Sequence, residues 1–451
     1  MMQIIILGAG ESGISSALLA KHEGHAVFVS DYGTISDHNK KLLSKHNIPY
    51  EEGGHTLPTL SETSIIVKSP GIPDTAPVIK KCIEVGAKII SEIEFAAPYI
   101  QNELIAVTGS NGKTTTTSLI NHLLQQVGIP SIASGNIGYS LARVALEEPN
   151  KQPVIELSSF QLDHMYQTRI HIALLLNITP DHLDRYGYKI ENYADAKGRI
   201  FQNQTANDYA ILNADDPMTI ELEKRMPEVK AQKLYFSTKD EDTEAYFDGK
   251  IIHFKSGTDI DFSTLQLKGD HNAQNVMAAC LALQAFGIDL SNHKVLEALQ
   301  SFHGIQHRME HIGAWKGITF INDSKGTNLD ATMHALSAMP EMKTILLIGG
   351  TDKGNDYSEI FDLVKSKCKG LIYLTKDSKK LHATFDPLEI PTMDALSMDE
   401  AYRQILQLDL EEGDVVLLSP ACASFDLFKN YEDRGEQFTN QFHILKQSTE
   451  F

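Results

Sequence analysis

Short apolar runs alternate with amphipathic helical patterns along the whole chain, and this alternation is typical of α/β proteins with mainly parallel sheets. The run at 3–7 (QIIIL) predicts a buried strand, and a predicted helix that ends at Gly24 follows it. Strands are likewise predicted at 104–107, 344–348 and 415–418. The pattern therefore predicts an α/β fold in which each domain contains a mainly parallel sheet with flanking helices.

The strand pattern restarts twice, which divides the 451 residues into three segments. The first segment covers residues 1–100, the second covers 101–305 and the third covers 306–451. Three domains also agree with the length of the chain, because about 100–200 residues per domain is usual.

Charge and composition limit the classes of partner. The formal net charge is −19, whereas nucleic acids and anionic membranes attract positive surfaces. The four cysteines form no CxxC pair, which favours reduced thiols in a cytosolic protein. No apolar run approaches the ~20 residues of a membrane span, and the first residues lack the basic and longer apolar regions of a signal peptide. We therefore expect a cytoplasmic protein without nucleic-acid or membrane partners. A monomer is a separate expectation, because the sequence does not give the oligomeric state.

The segment Thr108–Thr114 (TGSNGKT) lies between a predicted strand and a predicted helix, where phosphate-binding loops occur. Glycines allow backbone N–H groups to turn inward, and the N-terminus of the helix adds positive potential. Lys113 would contact the β- and γ-phosphates of a nucleotide, and the Thr114 hydroxyl would bind Mg²⁺. The full Walker spacing requires glycine where Val107 stands, so the loop is a shortened variant. The alternative is a glycine-rich turn with a surface lysine.

Gly8, Gly10 and Gly13 form a second glycine pattern after the first strand, with Asp31 at the distance expected of a dinucleotide site. A full dinucleotide site needs two βαβαβ halves, and the segment 1–100 leaves little room for both. We therefore interpret the turn as a site for the diphosphate of a nucleotide sugar, with Asp31 bonding the ribose or the base. Close packing of helix and strand without a ligand is the alternative.

Polar residues follow two further predicted strands. Glu156 ends the first, and His182 lies after the second, between Asp181 and Asp184. Because ligand sites of parallel sheets form at the carboxyl ends of strands, Glu156 and His182 are predicted to hold a metal near the γ-phosphate. Lys197 follows in a helical pattern, and its spacing alone predicts a solvent-exposed side chain.

Taken together, the motifs resemble the Mur ligase family, in order and along essentially the whole chain. The matching stretches are TGSNGKT (108–114), ELSSFQL (156–162), NITPDHLDR (177–185), NADD (213–216), GDHNAQN (269–275), HRME (307–310), NDSKGTN (322–328), GGTDK (349–353) and SPACASFD (419–426). ELSSFQL and SPACASFD are most similar to the members that add D-glutamate.

The resemblance implies a function for each segment. Residues 1–100 would form a Rossmann-like domain that binds the UDP-sugar, 101–305 a central P-loop-type domain that binds ATP, and 306–451 a Rossmann-like domain that binds the amino acid. The implied activity is that of an ATP- and Mg²⁺-dependent ligase of cytoplasmic peptidoglycan precursor synthesis. It would join D-glutamate to UDP-N-acetylmuramoyl-L-alanine through an acyl phosphate, giving ADP and phosphate.

The resemblance also implies roles for single residues. Lys113 would add positive charge at the phosphates, Thr114 and Glu156 would hold one Mg²⁺, and His182 and a carbamylated Lys197 would hold a second. The residues implied to bind ATP are Gly109, Ser110, Asn111, Gly112, Lys113, Thr114, Thr115, Asn272, Asn275, Arg308 and Asp323. Those implied to bind the UDP-linked precursor are Glu11, Ser12, Asp31, Gly71, Asn136 and His182. Thr327, Lys353, Ser424 and Phe425 would surround D-glutamate, and Lys325 and Tyr431 are predicted to bind substrate as well.

Two residues depart from the family pattern. Gly326 stands where alanine is expected, which should leave Lys325 and Thr327 in place, and Tyr431 stands where phenylalanine is common.

Four other functions remain as alternatives. A sister ligase or a folylpolyglutamate synthetase would keep the ATP loop and the metals. A nicotinamide-dependent oxidoreductase would use the turn at 8–13. A nucleotide-sensing binding protein without turnover would have little need of the whole set of charged residues.

Overall fold

The computed structural model of the protein describes residues 2–57, 60–181, 183–226, 229–304, 307–352 and 355–447. The chain divides into two compact units, Met1–His303 and Gly304–Phe451. The described residues form two sheets in the first unit and one sheet in the second. Ile305, at the second predicted domain boundary, is outside the described residues, and the boundaries at 100 and 305 stay predictions.

The N-terminal sheet is built from short parallel strands joined by helices. Its elements are β1 (Gln3–Leu7), α1 (Glu11–His22), β2 (Ala26–Ser30), α2 (Asp37–Lys45), β3 (Tyr50–Glu51), β4 (Ile65–Lys68), α3 (Pro77–Val85), β5 (Lys88–Ser91) and α4 (Glu92–Ala96). The strand order is β3-β2-β1-β4-β5, and each pair is parallel. Ile4 and Ile6 of β1 pack into one hydrophobic cluster and Ile5 packs into another, because successive side chains of a strand point to opposite faces of the sheet. The strand predicted at 3–7 is confirmed.

The central sheet is larger and carries the phosphate loop. Its elements are β6 (Ile105–Thr108), α5 (Lys113–Gln126), β7 (Ser131–Gly135), α6 (Leu141–Glu147), β8 (Gln152–Glu156), α7 (Ser159–Leu162), β9 (Ile172–Leu175), α8 (Ile190–Gly198), β10 (Tyr209–Asn213), α9 (Pro217–Arg225), β11 (Gln232–Ser237), β12 (Ala245–Phe247), β13 (Ile251–Phe254), β14 (Asp259–Asp261), α10 (Asp270–Ala285) and α11 (His293–Ser301). The strand order is β14-β13-β12-β11-β10-β9-β6-β8-β7. Strands β6–β12 pair in parallel, and β13 and β14 extend the sheet as an antiparallel ribbon.

Helix α5 packs on this sheet with the apolar face that its periodicity predicts. Leu119, Leu123 and Leu124 are fully buried and share a hydrophobic cluster with Val107 of β6. Burying residues three and four positions apart stabilises a helix against a sheet far more than its intrinsic propensity does. This packing fixes the start of α5, and with it the end of the phosphate loop.

The second unit contains one sheet of the same kind. Its elements are β15 (Glu310–Trp315), β16 (Ile318–Asn322), α12 (Leu329–Ser337), β17 (Thr344–Ile348), α13 (Phe361–Lys367), β18 (Cys368–Leu374), α14 (Lys379–Phe385), β19 (Thr392–Ala395), α15 (Met398–Ile405), β20 (Val415–Leu418) and α16 (Tyr431–Gln447). The strand order is β15-β16-β20-β17-β18-β19, and only the pair β15–β16 is antiparallel among these described strands. The strands predicted at 344–348 and 415–418 are confirmed.

Two predictions from composition concern thiols and membranes. All four cysteines are buried free thiols. In the described part of the chain, no helix combines the length and the apolar character that crossing a membrane requires.

Glu92 is a buried acid where the helices of the N-terminal and central sheets pack together. Its side chain begins α4 and is 2% exposed. The Oε1 atom accepts a hydrogen bond of 2.6 Å from the Ala142 N–H of α6, whereas the buried Oε2 atom has no hydrogen-bond partner among the described residues. Burial, reinforced by the charge of Glu11, raises the pKa of Glu92 to about 7. Ionising this carboxyl group therefore opposes the packing of the two sheets.

We expect Glu92 to make the first unit less stable as the pH rises. Because the pKa rises from 4.5 to about 7 on folding, the folded state binds the proton more tightly, and stability falls between these two pH values. The loss should reach roughly 3 kcal/mol above pH 7. Glu92→Gln cannot ionise, so its melting temperature relative to the wild type should rise between pH 5 and pH 8. Glu147→Gln, which changes an exposed carboxylate of α6, is the control, and the same pH response in both variants would contradict the expectation.

Candidate active site

The phosphate loop leaves the carboxyl end of β6 and enters α5, as the sequence predicts. Gly109 and Gly112 have φ angles of +150° and +81°, which glycine adopts without strain. A Cβ atom at Gly112 would also collide with the side-chain amide of Asn275. Thr114 and Thr115 are buried in the first turn of α5. The loop residues predicted to bind ATP therefore lie together at a helix N-terminus, where backbone N–H groups are available to an anion.

A segment that follows β9 holds this loop in shape. Ser110 N–H donates to the Asn177 carbonyl at 2.9 Å, and Asn111 N–H donates to Asn177 Oδ1 at 2.8 Å. The Ser110 hydroxyl donates to the Thr179 carbonyl and accepts from Thr179 N–H, both at 2.9 Å. The predicted site residues do not include Asn177 and Thr179, which have this supporting role. The available signal was an amide residue just after a buried strand, where its side chain can reach the neighbouring loop.

Two lysine side chains meet at one carbonyl oxygen of the loop. Lys113 Nζ donates to Gly109 O at 2.7 Å and to Ser110 O at 2.6 Å. Lys197 Nζ donates to the same Gly109 oxygen, also at 2.7 Å. Because two ammonium groups that share one acceptor repel each other, the neutral form of one of them is favoured.

Lys197 is buried, and the solvent-exposed position that its helical pattern predicts is wrong. Its side chain is 1% exposed, and Nζ lies 4.4 Å from the centre of the Tyr193 ring, one turn earlier in α8. Burial, followed by the charge of Lys113, holds the pKa of Lys197 well below its usual value. The prediction failed because helical spacing defines the faces of a helix but not which loop covers them. A tyrosine four residues before the lysine was the signal that could have indicated an enclosed amine.

Glu156 ends β8, the strand next to β6, and its carboxylate is buried with a 2% exposed side chain. The Oε1 atom accepts a 2.8 Å hydrogen bond from Asn136 Nδ2. The Oε2 atom is buried and has no hydrogen-bond partner in the described residues. Ser158 and Gln161 form a capping box that begins α7 immediately afterwards and fixes the path of the chain beyond the strand. A buried carboxylate oxygen without a donor is stabilised by a cation, so Glu156 fits the predicted role of metal ligand.

The remaining predicted metal ligand, His182, lies outside the described residues. Within the described ranges, no group of three His, Cys, Asp or Glu side chains is arranged to hold a metal ion. A Mg²⁺ site therefore has to include other donors beside Glu156. Thr114 in the first turn of α5 is a donor of the required hard, oxygen-bearing type, and the carbamate predicted on Lys197 would be another.

Helix α10 places two predicted ATP-binding amides beside the loop. Asn275 is 5% exposed, and its Oδ1 atom accepts from the Thr116 hydroxyl of α5 at 3.2 Å. Its Nδ2 atom donates to Asn272 Oδ1 at 3.1 Å. Asn272 donates in turn to the Lys268 carbonyl at 2.9 Å. These bonds hold the start of α10 against the start of α5, next to the backbone that would receive phosphate.

In the glycine turn after β1, one glycine is required by close packing, whereas another has open space around it. A Cβ atom at Gly13 would collide with the Gly8 carbonyl, whereas one at Gly10 would meet no atom within 4 Å. Asp31 accepts from Ala9 N–H at 2.6 Å and from a second backbone N–H in its own loop at 2.7 Å. Close packing thus explains Gly13, and Gly10 leaves space at the N-terminus of α1 for a diphosphate. The ligand contact predicted for Asp31 stays a prediction.

Glu11 and Ser12 begin α1, and the Glu11 side chain faces α6. Glu11 Oε1 lies 3.7 Å from Arg143 Nη1 and accepts from the Ser140 hydroxyl at 3.5 Å. The Ser12 carbonyl accepts from the Ser16 hydroxyl at 2.7 Å. The predicted UDP-sugar residues of α1 are therefore held beside the central sheet that carries the phosphate loop.

Side chains of the central sheet also hold the turn that contains Gly71. Arg185 Nη1 donates to the Pro70 carbonyl at 3.2 Å, and its guanidinium carbon lies 4.1 Å from the centre of the Phe160 ring. Asp74, three residues after Gly71, forms an ion pair with one lysine side chain and a hydrogen bond with one histidine side chain. Gly71 itself is exposed. This arrangement gives the ELSSFQL motif a structural role, because its phenylalanine supports the arginine that binds the turn.

In the second unit, Asp323 lies at the carboxyl end of β16 and is 3% exposed. Its Oδ2 atom accepts from the Ser419 hydroxyl at 2.7 Å, and Oδ1 accepts from Met309 N–H at 3.2 Å. Burial raises the pKa of Asp323 to about 6, although the charge of Arg308 opposes the rise. A Cβ atom at Gly326 would lie 2.5 Å from Asp323 Oδ2. The glycine at this position therefore makes room for the buried carboxylate.

The residues predicted to bind the amino acid lie on two loops of this unit, 322–328 and 419–426, and at the start of α16. Lys325 N–H donates to the His307 carbonyl at 2.8 Å. Ser424 is buried, whereas Phe425 is 70% exposed. The other predicted residues of these segments are Thr327 and Tyr431, and Lys353 lies outside the described residues.

Comparison with protein families covers most of the chain. Residues 107–283 match the Mur ligase middle domain, and residues 307–422 match the glutamate ligase domain of Mur ligases. Residues 3–78 match the MurD N-terminal domain. The three matches follow the order of the three segments that the sequence predicts.

Several relatives that share one name match nearly the full length of this chain. The UDP-N-acetylmuramoylalanine–D-glutamate ligase of Porphyromonas gingivalis is 48% identical over 444 residues, which are 97% of this chain and 98% of the relative. The ligase of that name from Bacteroides fragilis is 47% identical over 442 residues, with the same shares of both chains. The one from Geobacillus kaustophilus is 38% identical over 449 residues, which are 98% of each chain.

Solved structures share the fold. The UDP-N-acetylmuramate-alanine ligase MurC of Thermotoga maritima matches with a TM-score of 0.62 and 20% identity, over 99% of this chain and 100% of that chain. The MurF ligase of Thermotoga maritima in complex with ADP matches with a TM-score of 0.58 and 18% identity, over 86% and 96%. The predicted fold of three domains with mainly parallel sheets is confirmed.

Proposed function

The chain belongs to the Mur ligase family, and from this membership we propose that it catalyses the ATP-dependent addition of D-glutamate to UDP-N-acetylmuramoyl-L-alanine. The bond formed is an amide between the amine of D-glutamate and the alanine carboxylate, and the other products are ADP and phosphate. The reaction supplies a peptidoglycan precursor. The relatives that cover nearly the whole chain bear the name of this activity.

One observation carries the proposal at the level of atoms. Lys113 and Lys197 both reach the Gly109 carbonyl, and Glu156 pairs with Val107, one residue before the end of β6. Two basic side chains and a buried carboxylate thus lie around the loop that leads from β6 into the N-terminus of α5. This combination suits the terminal phosphate of a nucleoside triphosphate together with a divalent cation.

In the first step, the alanine carboxylate attacks the γ-phosphorus of ATP. A new oxygen–phosphorus bond forms while the bond to the β,γ-bridging oxygen breaks, which gives an acyl phosphate and ADP. Because both reactants are anions, the main tasks of the protein are charge neutralisation and alignment. Lys113 leaves the Gly109 and Ser110 carbonyls and donates to the phosphate oxygens. Mg²⁺, when bound by Thr114 and Glu156, supplies further positive charge at the same place.

Lys197 enters the reaction as a carbamate in this proposal. Its neutral amine attacks CO₂, a nitrogen–carbon bond forms, and one amine proton passes to solvent. The low pKa of Lys197 supports this step, because only the neutral amine is a nucleophile. The N–H that remains can still donate to Gly109 O, and the new carboxylate would hold a second Mg²⁺ together with His182.

In the second step, the amine of D-glutamate attacks the acyl carbon, a nitrogen–carbon bond forms, the bond from carbon to the phosphate oxygen breaks so that phosphate leaves, and one amine proton passes to solvent. Thr327, Lys353, Ser424 and Phe425 surround the amino acid in this proposal, and Lys325 and Tyr431 bind substrate as well. Arg308 and Asp323 contact ATP in the same proposal. Glu11, Ser12, Asp31, Gly71 and Asn136 bind the UDP-linked precursor.

The decisive assay is phosphate release with ATP, Mg²⁺, UDP-N-acetylmuramoyl-L-alanine and either D- or L-glutamate. We expect release only with D-glutamate and only when the precursor is present. A panel with L-alanine, a diamino acid and D-Ala-D-Ala on their matching precursors, and folate with L-glutamate, tests the sister ligases and folylpolyglutamate synthetase. Turnover of any of these in place of D-glutamate would overturn the proposal, as would NADH binding without ligase turnover.

We also propose a cytoplasmic location for the reaction. Four buried free thiols fit a reducing compartment, and ATP is a cytoplasmic substrate. The monomeric state and the absence of nucleic-acid and membrane partners stay predictions, and sedimentation velocity at the assay concentration tests the first of them.

A further inference from the structure

Arg434 is an arginine of α16 that is 1% exposed and connects two loops of the second unit. Its Nε atom donates to the Ser324 hydroxyl at 3.0 Å, and Nη2 donates to the Ser324 carbonyl at 2.8 Å. Nη1 and Nη2 both donate to the Cys422 carbonyl at 3.2 Å. The partners of this buried cation are thus oxygen atoms of the two loops. Its burial lowers the pKa of Arg434 to about 10, so the guanidinium still carries its charge at neutral pH.

These are the loops with the residues predicted to bind the amino acid. Ser324 directly precedes Lys325, and Cys422 lies two residues before Ser424. The planar guanidinium has donors at fixed angles, so it holds the Ser324 and Cys422 carbonyls at a set distance from each other. A lysine at the same position would offer a single nitrogen and could not hold both carbonyls in this geometry.

The first turn of α16 is also anchored to the segments around the loops. Asn322 Nδ2 donates to the Gly435 carbonyl at 2.9 Å, and the His307 ring fills the space that a side chain at position 435 would need. Asn322 Nδ2 also lies 3.0 Å from His307 Nδ1. The backbone of Arg434 is therefore held in place, and the length of the Arg434 side chain determines the positions of the two loops.

We propose that Arg434 is a positioning residue for the amino-acid substrate, because it sets the spacing of loops 322–328 and 419–426. This inference rests on the proposed function. The guanidinium acts through the Ser324 and Cys422 carbonyls and does not itself touch the substrate. A misplacement of binding groups by about 1 Å is known to reduce activity by on the order of 100-fold, so the spacing controls turnover at low D-glutamate.

The test uses Arg434→Lys and Arg434→Met in the full chain, with Tyr402→Phe as the matched control. The Tyr402 hydroxyl donates to the Phe438 carbonyl at 2.8 Å. The control therefore removes one buried hydrogen bond from the same helix without touching either loop. If Arg434→Met does not fold, Arg434→Lys carries the test.

We expect Arg434→Lys to raise the KM for D-glutamate by about tenfold to 100-fold. The KM for UDP-N-acetylmuramoyl-L-alanine should not change, because its predicted residues lie in the first unit. Tyr402→Phe should lower the melting temperature but leave both KM values as in the wild type. An unchanged KM for D-glutamate in Arg434→Lys, with a lowered melting temperature, would overturn the inference and leave Arg434 a purely structural residue.

Hydrogen exchange of the ligand-free proteins separates this inference from the proposed function. Peptides that cover 322–328 and 419–426 should exchange faster in Arg434→Lys than in the wild type, and at the wild-type rate in Tyr402→Phe. Unchanged exchange in Arg434→Lys would overturn the positioning role. If the wild type itself lacks turnover that depends on D-glutamate, the proposed function fails, and the exchange rates alone decide whether Arg434 spaces the loops.

Discussion

Replacing Lys197 with alanine is expected to reduce ligase turnover by on the order of 1,000-fold, the range seen when a major electrostatic contact of a transition state is removed. The variant loses the buried amine that donates to Gly109 O, and with it the group on which the proposed carbamate would form. A small carboxylate such as acetate or formate should restore part of the activity, because it can enter the cavity and replace the anionic group. Phosphate release with increasing carboxylate concentration measures the effect.

Two comparisons make this test specific for a carbamate. Lys189→Ala removes an exposed lysine next to the start of α8 and should keep full activity with or without acetate. Ammonium or methylamine should not restore Lys197→Ala. Recovery with an amine instead of a carboxylate would mean that the lysine acts as a cation, and full activity of Lys197→Ala without additive would refute any role in the reaction.

Lys113→Ala should abolish formation of the acyl phosphate, with a loss of about three orders of magnitude in the rate of ADP formation. The side chain lies against the loop backbone, where it donates to two carbonyls. Without the positive charge of this side chain, the repulsion between the attacking carboxylate and the triphosphate is less well neutralised. Rapid-quench measurement of ADP with the UDP-linked precursor but without D-glutamate reports this step alone, and hydroxylamine traps the acyl phosphate.

Lys224→Ala is the control for loss of a lysine charge in the same unit, because Lys224 is 68% exposed and, among the described residues, pairs with Glu221 on its own helix. It should form ADP at the wild-type rate. Lys113→Arg keeps the charge but changes its shape, so intermediate activity would assign part of the effect to charge alone. Unchanged ADP formation in Lys113→Ala would remove this lysine from the site.

The fold and the phosphate loop could be predicted because both follow from local patterns. The spacing of aliphatic residues predicts the buried strand at 3–7 and the apolar face of α5. The glycines of the loop are a second local signal, because their φ angles are ones that few other residues adopt. Glu156 was found because it ends a strand in a parallel sheet. In each case, residues near one another in sequence carry the signal.

The burial of Lys197 and the role of Arg434 could not be predicted in this way. Lys197 is enclosed by a loop 88 positions away, and Arg434 binds an oxygen 110 positions away. A helical pattern does not record which distant loop will approach it, so a single charged residue in a helix is assigned to solvent by default. The resemblance to a family identified Lys197, whereas Arg434 became visible only from its contacts.

The hydrogen bonds between Lys113 and the carbonyls of its loop, one of them the shared Gly109 oxygen, would affect how tightly the proposed nucleotides bind. Lys113 donates to two carbonyls of its own loop, so a nucleotide that binds as proposed would have to displace them, and the free energy of that exchange would be subtracted from its affinity. ATP would offer the lysine oxygens on both the β- and the γ-phosphate, whereas ADP lacks the γ-phosphate. ADP would therefore compete less well with the loop carbonyls, which would favour its release after each turnover.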